Sequence, residues 1–189
     1  MTEDEVESLT IAWRTRWGRS PIAYQLRGWH ADRWVRFHSL PGSKRYADTE
    51  DEYEIILDRH RRVLGELGAH EGLYAIAVYF EDEEGRISPD PRHPDAVPWL
   101  TIEPGDDSPF DVAARLYVSM TSFDPQTLDP LLRGAADEEL IDVIIAPLDL
   151  RWLYHPYDGG ADVIAPTAYD RDVLKNRHAD WLSTHPAGL

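Results

Sequence analysis

The sequence predicts one α+β domain over residues 1–189, a mixed or largely antiparallel sheet with three main helices packed on it. Three observations carry that reading. Helical signals mark three separate stretches: apolar residues at helical spacing near the start and before residue 70, and near the end a Thr167 cap with Asp170 in the first turn and Arg177 and His178 late. Between the last two of these, strand-like runs follow one another without the regular helical partners that build a parallel sheet. The chain of 189 residues is 42% hydrophobic and holds seven Trp and nine Tyr, enough for a sizeable core.

Each element has its own signal. Val6, Leu9, Trp13 and Trp17 share a helical face, so 4–17 reads as the first helix, with Gly18 as its stop. Pro21 then opens a β-like stretch, IAYQLRG. From Asp32 to Leu40 the residues alternate, Val35 and Phe37 on one side against Trp34, Arg36 and His38 on the other, which predicts a strand ending in the turn LPGS. Thr49 and Glu52 have capping-box spacing, and Tyr53, Ile56, Leu57, His60, Leu64 and Leu67 follow at helical intervals. Gly68 stands where a left-handed residue ends such a helix. LYAIAVYF, 73–80, is apolar on both faces and reads as a central strand. EDEEG is a turn, and the proline-rich 87–98 reads as a surface loop. WLTIE, ARLYVSMTSF and DVIIAP are further strands. Between them 124–140 reads as helical or as two short turns interrupted at Pro130. RWLYHP and ADVIAP form a hairpin around PYDGG, with the two glycines expected at positive φ and Asp158 bonding its own turn amides. Thr167 caps a last helix through Trp181.

Charge narrows the function classes. The net charge is −16, which disfavours nucleic acid and anionic membranes as partners. Residues 1–48 hold eight basic and six acidic side chains, against eleven and twenty-nine in 49–189. A local basic pocket of Arg27, Arg33, Arg36, Lys44 and Arg45 on an acidic body is therefore expected. The acidic, polar N-terminus does not read as a signal peptide, and no apolar run is long enough to span a bilayer. With no cysteine, the expected setting is the cytoplasm.

Catalytic patterns are weak. There is no HExxH, no cysteine ligand, no strand–GxSxG–helix elbow, and neither a dinucleotide nor a phosphate loop, so neither metal nor cofactor is expected. His155, Asp158 and Asp162 would share a cation only if the hairpin tip folded them together. EDEE (81–84) and DEE (137–139) read as solvated charge, lacking the apolar surroundings that an acid–base carboxylate pair needs. The run RFHSLPGSKRY is the densest in donors: Arg36, His38, Ser39, Ser43, Lys44, Arg45 and Tyr46. It reads either as an anion or partner site or as the anchor of the acidic helix start at 48–52. Together with His155, Tyr157 and Asp158 it forms the candidate ligand site.

Three long phrases resemble one known family. RFHSLPGSKRYADTEDEYEIILDRHRRVLGELG, WLYHPYDGGADVI and LKNRHADWLSTHPAGL, in that order and over about residues 16–189, are similar to the bacterial domain-of-unknown-function family numbered 3885. The resemblance implies a bacterial single-domain protein and no catalytic residue. It also implies relatives in toxin and immunity neighbourhoods. The leading expectation is a non-enzymatic immunity-type protein that binds a basic partner such as a toxin through an acidic surface bearing aromatics. The alternative is a binder of, or hydrolase on, a small anionic ligand between residues 36–46 and 154–162, with His38 or His155 as base. In the third reading both runs only shape the fold.

Overall fold

A computed structural model describes residues 1–70, 72–105 and 109–183. The end of the last family-like phrase, 184–189, lies outside the described residues. The helices are α1 (Glu3–Trp17), α2 (Leu26–Trp29), α3 (Glu50–Glu66), α4 (Pro125–Ala136) and α5 (Ala168–Arg177). The strands are β1 (Trp34–His38), β2 (Leu73–Tyr79), β3 (Val97–Ile102), β4 (Ala114–Thr121), β5 (Ile141–Pro147), β6 (Leu153–Tyr157) and β7 (Gly160–Ile164). They form one sheet in the order β1-β7-β6-β5-β2-β4-β3, antiparallel at every pairing. Among the described residues five α-helices, not three, accompany it.

Strand alternation separates two cores. Val35, Phe37, Ala75, Val143, Ile145, Tyr154 and Val163 face Leu57, Leu64, Leu128, Leu132 and Leu174 of α3, α4 and α5. On the opposite face Ile76, Val118, Ile144, Leu153 and Ile164 meet Leu9, Trp13 and Trp17 of α1 and Leu26 of α2. The molecule is thus helix, sheet, helix in layers, with the apolar β2 near the centre as its composition predicts.

Several expectations are corrected. The IAYQLRG stretch is helical: a 3₁₀ turn, Ala23–Gln25, runs into α2. Its free amides are capped from afar, Ala23 and Tyr24 donating to the Asp142 carboxylate at 2.7 and 3.1 Å. The capping box at α3 is half formed. Thr49 Oγ1 accepts from the Glu52 amide, but the Glu52 carboxylate accepts from the Asp48 amide and from Lys44. The reciprocal box occurs instead at Thr2 and Glu5 of α1. α4 runs unbroken through Pro130, because that ring and the Gln126 carbonyl it deprives both face solvent. The loop 87–96 is pinned by a buried residue: His93 stacks on Tyr79 and bonds the Ala75 carbonyl at 3.1 Å.

Candidate functional site

The two dense runs meet through sheet pairing. β1 lies against β7, and β7 against β6, so Arg36, Asp162 and His155 form one cross-strand row on the face that carries α1 and α2. His38, Gly160 and Tyr157 form the next row. Trp34 and Tyr157 flank the Arg36 guanidinium at 5.5 and 5.3 Å.

That proximity makes no free basic pocket. Arg36 is bidentate with Asp162, at 2.7 and 2.9 Å. Lys44 is held by Glu52 and Asp48. Arg45 pairs with Asp158 and approaches Glu138 at 3.6 Å. Tyr46 donates to Glu138 at 3.0 Å. Ser43 occupies a left-handed turn residue, φ 58°, and only shapes the chain. The run from Arg36 to Tyr46 is thus a set of closed ion pairs that dock the entry to α3 onto the hairpin tip. Asp158 turns to Arg45 rather than to its own turn amides, and His155 and Asp162 take other partners, so the three do not converge on a cation position.

Ser39 and His38 line a different place. With Arg59, His60, Tyr154 and Trp181 they surround a cavity of about 10 Å³, the volume of one water. Tyr154 and His60 Nδ1 share a hydrogen bond of 2.5 Å, and burial drives the His60 imidazole down to about 3, so it is neutral. Ser39 Oγ has no hydrogen-bond partner among the described residues, hence none of them activates it as a nucleophile.

His155 faces a larger space. A cavity of about 260 Å³ opens between the start of β5, the end of β6, the exit of α4 and the turn at Tyr24. Its walls include Tyr24, Phe110, Leu140, Pro156 and Tyr157, and its polar groups are Glu138, Asp142, His155 and Asp158. Of these, His155, Tyr157 and Asp158 belong to the candidate site expected from sequence, Glu138 falls in the DEE run expected to be solvated charge, and Tyr24 and Asp142 carried no such expectation. Asp142 had one visible signal, a lone carboxylate inside the apolar strand run IDVIIAP.

Local backbone explains how the carboxylates are displayed. The β2–β5 register shifts between Ile76 and Val78, and in that irregular stretch Asp142 takes φ 52°. Glu138 takes φ 58° just after α4, where glycine is the usual occupant. Both are left-handed non-glycine residues, a conformation that costs on the order of 1 kcal/mol or more and recurs at binding sites. Burial pushes the Asp142 carboxyl up, outweighing the opposing pull of His155 and of the Ala23 and Tyr24 amides. His155 Nδ1 donates to the Val143 carbonyl at 2.8 Å. Burial likewise raises the Tyr157 phenol, which stays protonated. Carboxylates against aromatic walls suit a donor-rich cation, a guanidinium or an ammonium.

RFHSLPGSKRY and YHPYDGGADVI are the two runs joined across β1, β7 and β6. The domain-of-unknown-function family DUF3885 matches residues 22–186. The chain belongs to that family. The match spans both runs, the acidic cleft and all seven strands of the described sheet, and leaves out the whole of α1. No curated protein and no solved structure matches the chain. No helix among the described residues is long and apolar enough to cross a membrane.

Proposed function

We propose that the protein is a non-enzymatic cytoplasmic binding protein of the immunity type, which covers a basic protein partner such as a toxin. The cleft of Glu138, Asp142, His155 and Asp158 receives a cationic side chain of that partner, and Tyr24, Phe110 and Tyr157 pack its stem. The observation that carries the reading is that the charged groups lining the cleft are all acidic, that Asp142 is in no ion pair among the described residues, and that Asp142 and Glu138 are displayed from left-handed backbone; Asp158 and Glu138 would exchange Arg45 for the partner's cation. Whole-molecule charge supports it. From Arg36 onward every arginine except Arg59 already has a carboxylate partner, so the surplus of the −16 chain is left as surface carboxylate. Such a field speeds encounter with a basic partner, and the desolvated aromatic contacts slow release. The anion-binding alternative has the meeting of the two runs in its favour, but an anion would have to displace Asp162, Glu52 and Asp158 from the cations it needs.

A pull-down with the product of the adjacent gene, together with a co-expression growth assay, tests the proposal. The expected outcome is a salt-sensitive complex and restored growth, with Tyr24→Ala/Glu138→Gln weakening the complex about tenfold or more. Absence of any complex and of protection would refute the reading. So would a folded double variant that binds and protects as well as the wild type.

A further inference from the structure

A larger cavity than the acidic cleft lies elsewhere, between α1 and the edge strand β3, with a volume of about 630 Å³. That is a size suited to a small organic ligand. Trp13, Trp29 and Trp99 contribute indole surface, and Arg14 and Arg19 stand at its rim. Among the described residues no aspartate or glutamate lines it, in a chain with thirty-five of them.

Both arginines are uncommitted. Arg14 and Arg19 form no ion pair among the described residues, unlike Arg36, Lys44 and Arg45. Arg19 lies 5.3 Å over the Trp29 ring. The carboxyl end of α1 attracts cations, which accounts for arginines in its last turn, but Arg19 follows the Gly18 cap and has no such duty. The indole walls are fixed in place. Trp13 Nε1 donates to the Arg19 carbonyl at 2.8 Å, and Trp99 Nε1 to Thr10 Oγ1 at 2.9 Å. Trp99 also stands edge-on to Trp13, centroids 5.5 Å apart. β3 is the sheet edge, so one side of its backbone at Trp99–Ile102 has no strand partner among the described residues.

From this geometry we infer a second binding site, independent of the acidic cleft, for a planar organic anion: a carboxylate or phosphate carried on an aromatic or heteroaromatic ring. Arg14 and Arg19 hold the anionic group, and the ring lies against Trp29 and Trp99. The two sites flank one turn, since Tyr24 walls the cleft and its neighbour Gln25 walls this cavity.

Tryptophan fluorescence and calorimetric titration with three planar anions test it: adenosine 5′-monophosphate, indole-3-acetate and 1-naphthoate. Each is paired with its neutral counterpart, adenosine, indole-3-acetamide and 1-naphthamide, and inorganic phosphate is added as the ring-free control. The expected result is saturable binding of at least one anion below about 1 mM, about tenfold tighter than its neutral counterpart. Arg14→Ala/Arg19→Ala should abolish that preference. Both residues are exposed, so the fold should survive, and near-ultraviolet dichroism checks it. Tyr24→Ala/Glu138→Gln should leave the anion's affinity unchanged, which separates this site from the cleft. Three outcomes overturn the inference: no binding of any anion at 1 mM, equal binding of anion and neutral counterpart, or unchanged affinity without the two arginines.

Discussion

Gly160 has no room for a side chain. A Cβ built on it would lie 2.0 Å from the Phe37 carbonyl oxygen and 3.2 Å from His38 Cα, so β1 could not keep its place beside β7. Gly159 differs, since its nearest neighbour would be a Tyr157 ring carbon at 3.5 Å. Gly160→Ala should therefore cost about 3 kcal/mol or more in urea unfolding, and Gly159→Ala less than about 1 kcal/mol. Equal costs would show that the β1–β7 approach is not what holds the glycine. The pair was legible in the sequence as glycine, but for another reason. Positive φ falls at Gly18, Gly42, Gly68 and Gly85, not at the hairpin pair. A steric demand imposed by a distant strand leaves no local mark. The same holds for Asp142, whose importance lies in amides at Ala23 and Tyr24 that only folding brings near.

Elements set by their own residues were readable, and those set by distant ones were not. α3 carries its cap, its apolar face and its terminal glycine within one stretch, and Ile56, Leu57, Val63 and Leu64 bury as the spacing implies. The Ala23–Trp29 segment lacks a local cap, and its helical form depends on Asp142, 119 residues from Ala23. α4 shows packing overriding a local breaker. Leu128, Leu131, Leu132, Ala135 and Ala136 are all buried, and that face outweighs the hydrogen bond Pro130 removes. Pro130→Ala restores an amide donor to the Gln126 carbonyl on an exposed face. It should raise stability by about 1 kcal/mol, the full helix penalty of proline being offset in part by the freer unfolded chain. A loss of stability would mean that the proline ring makes packing contacts its exposure does not suggest.

At the scale of the whole molecule the charge asymmetry of the sequence survives, but its location shifts. The lopsided count pointed to a basic pocket that included Arg36, Lys44 and Arg45, yet those three are internally neutralised, whereas Arg14 and Arg19 beside the cavity of about 630 Å³ have no ion pair among the described residues. Pairing depends on strand order, which one sequence does not disclose, so the cations could be counted but not assigned. The same global burial predicts an acid response. His60 is neutral in the core down to about 3, and burial also lowers His93, whereas an exposed imidazole in the unfolded chain titrates near 6.5. Below about 6.5 the unfolded chain therefore binds protons that the native state refuses, and stability falls as pH drops. Each such histidine contributes up to about 1.4 kcal/mol per pH unit in that window. Ion-paired carboxylates such as Glu52 and Asp90, held below their ordinary values, add their loss only nearer pH 4. Asp142 works with the opposite sign, because its raised carboxyl protonates earlier in the native state and acid relieves part of its burial cost. Urea unfolding at pH 7.5, 6.0 and 5.0 should show declining stability, and His60→Gln should flatten that slope by up to one proton even though its absolute stability is lower. A variant slope as steep as the wild type's would mean that His60 takes up its proton in the native state as readily as in the unfolded one.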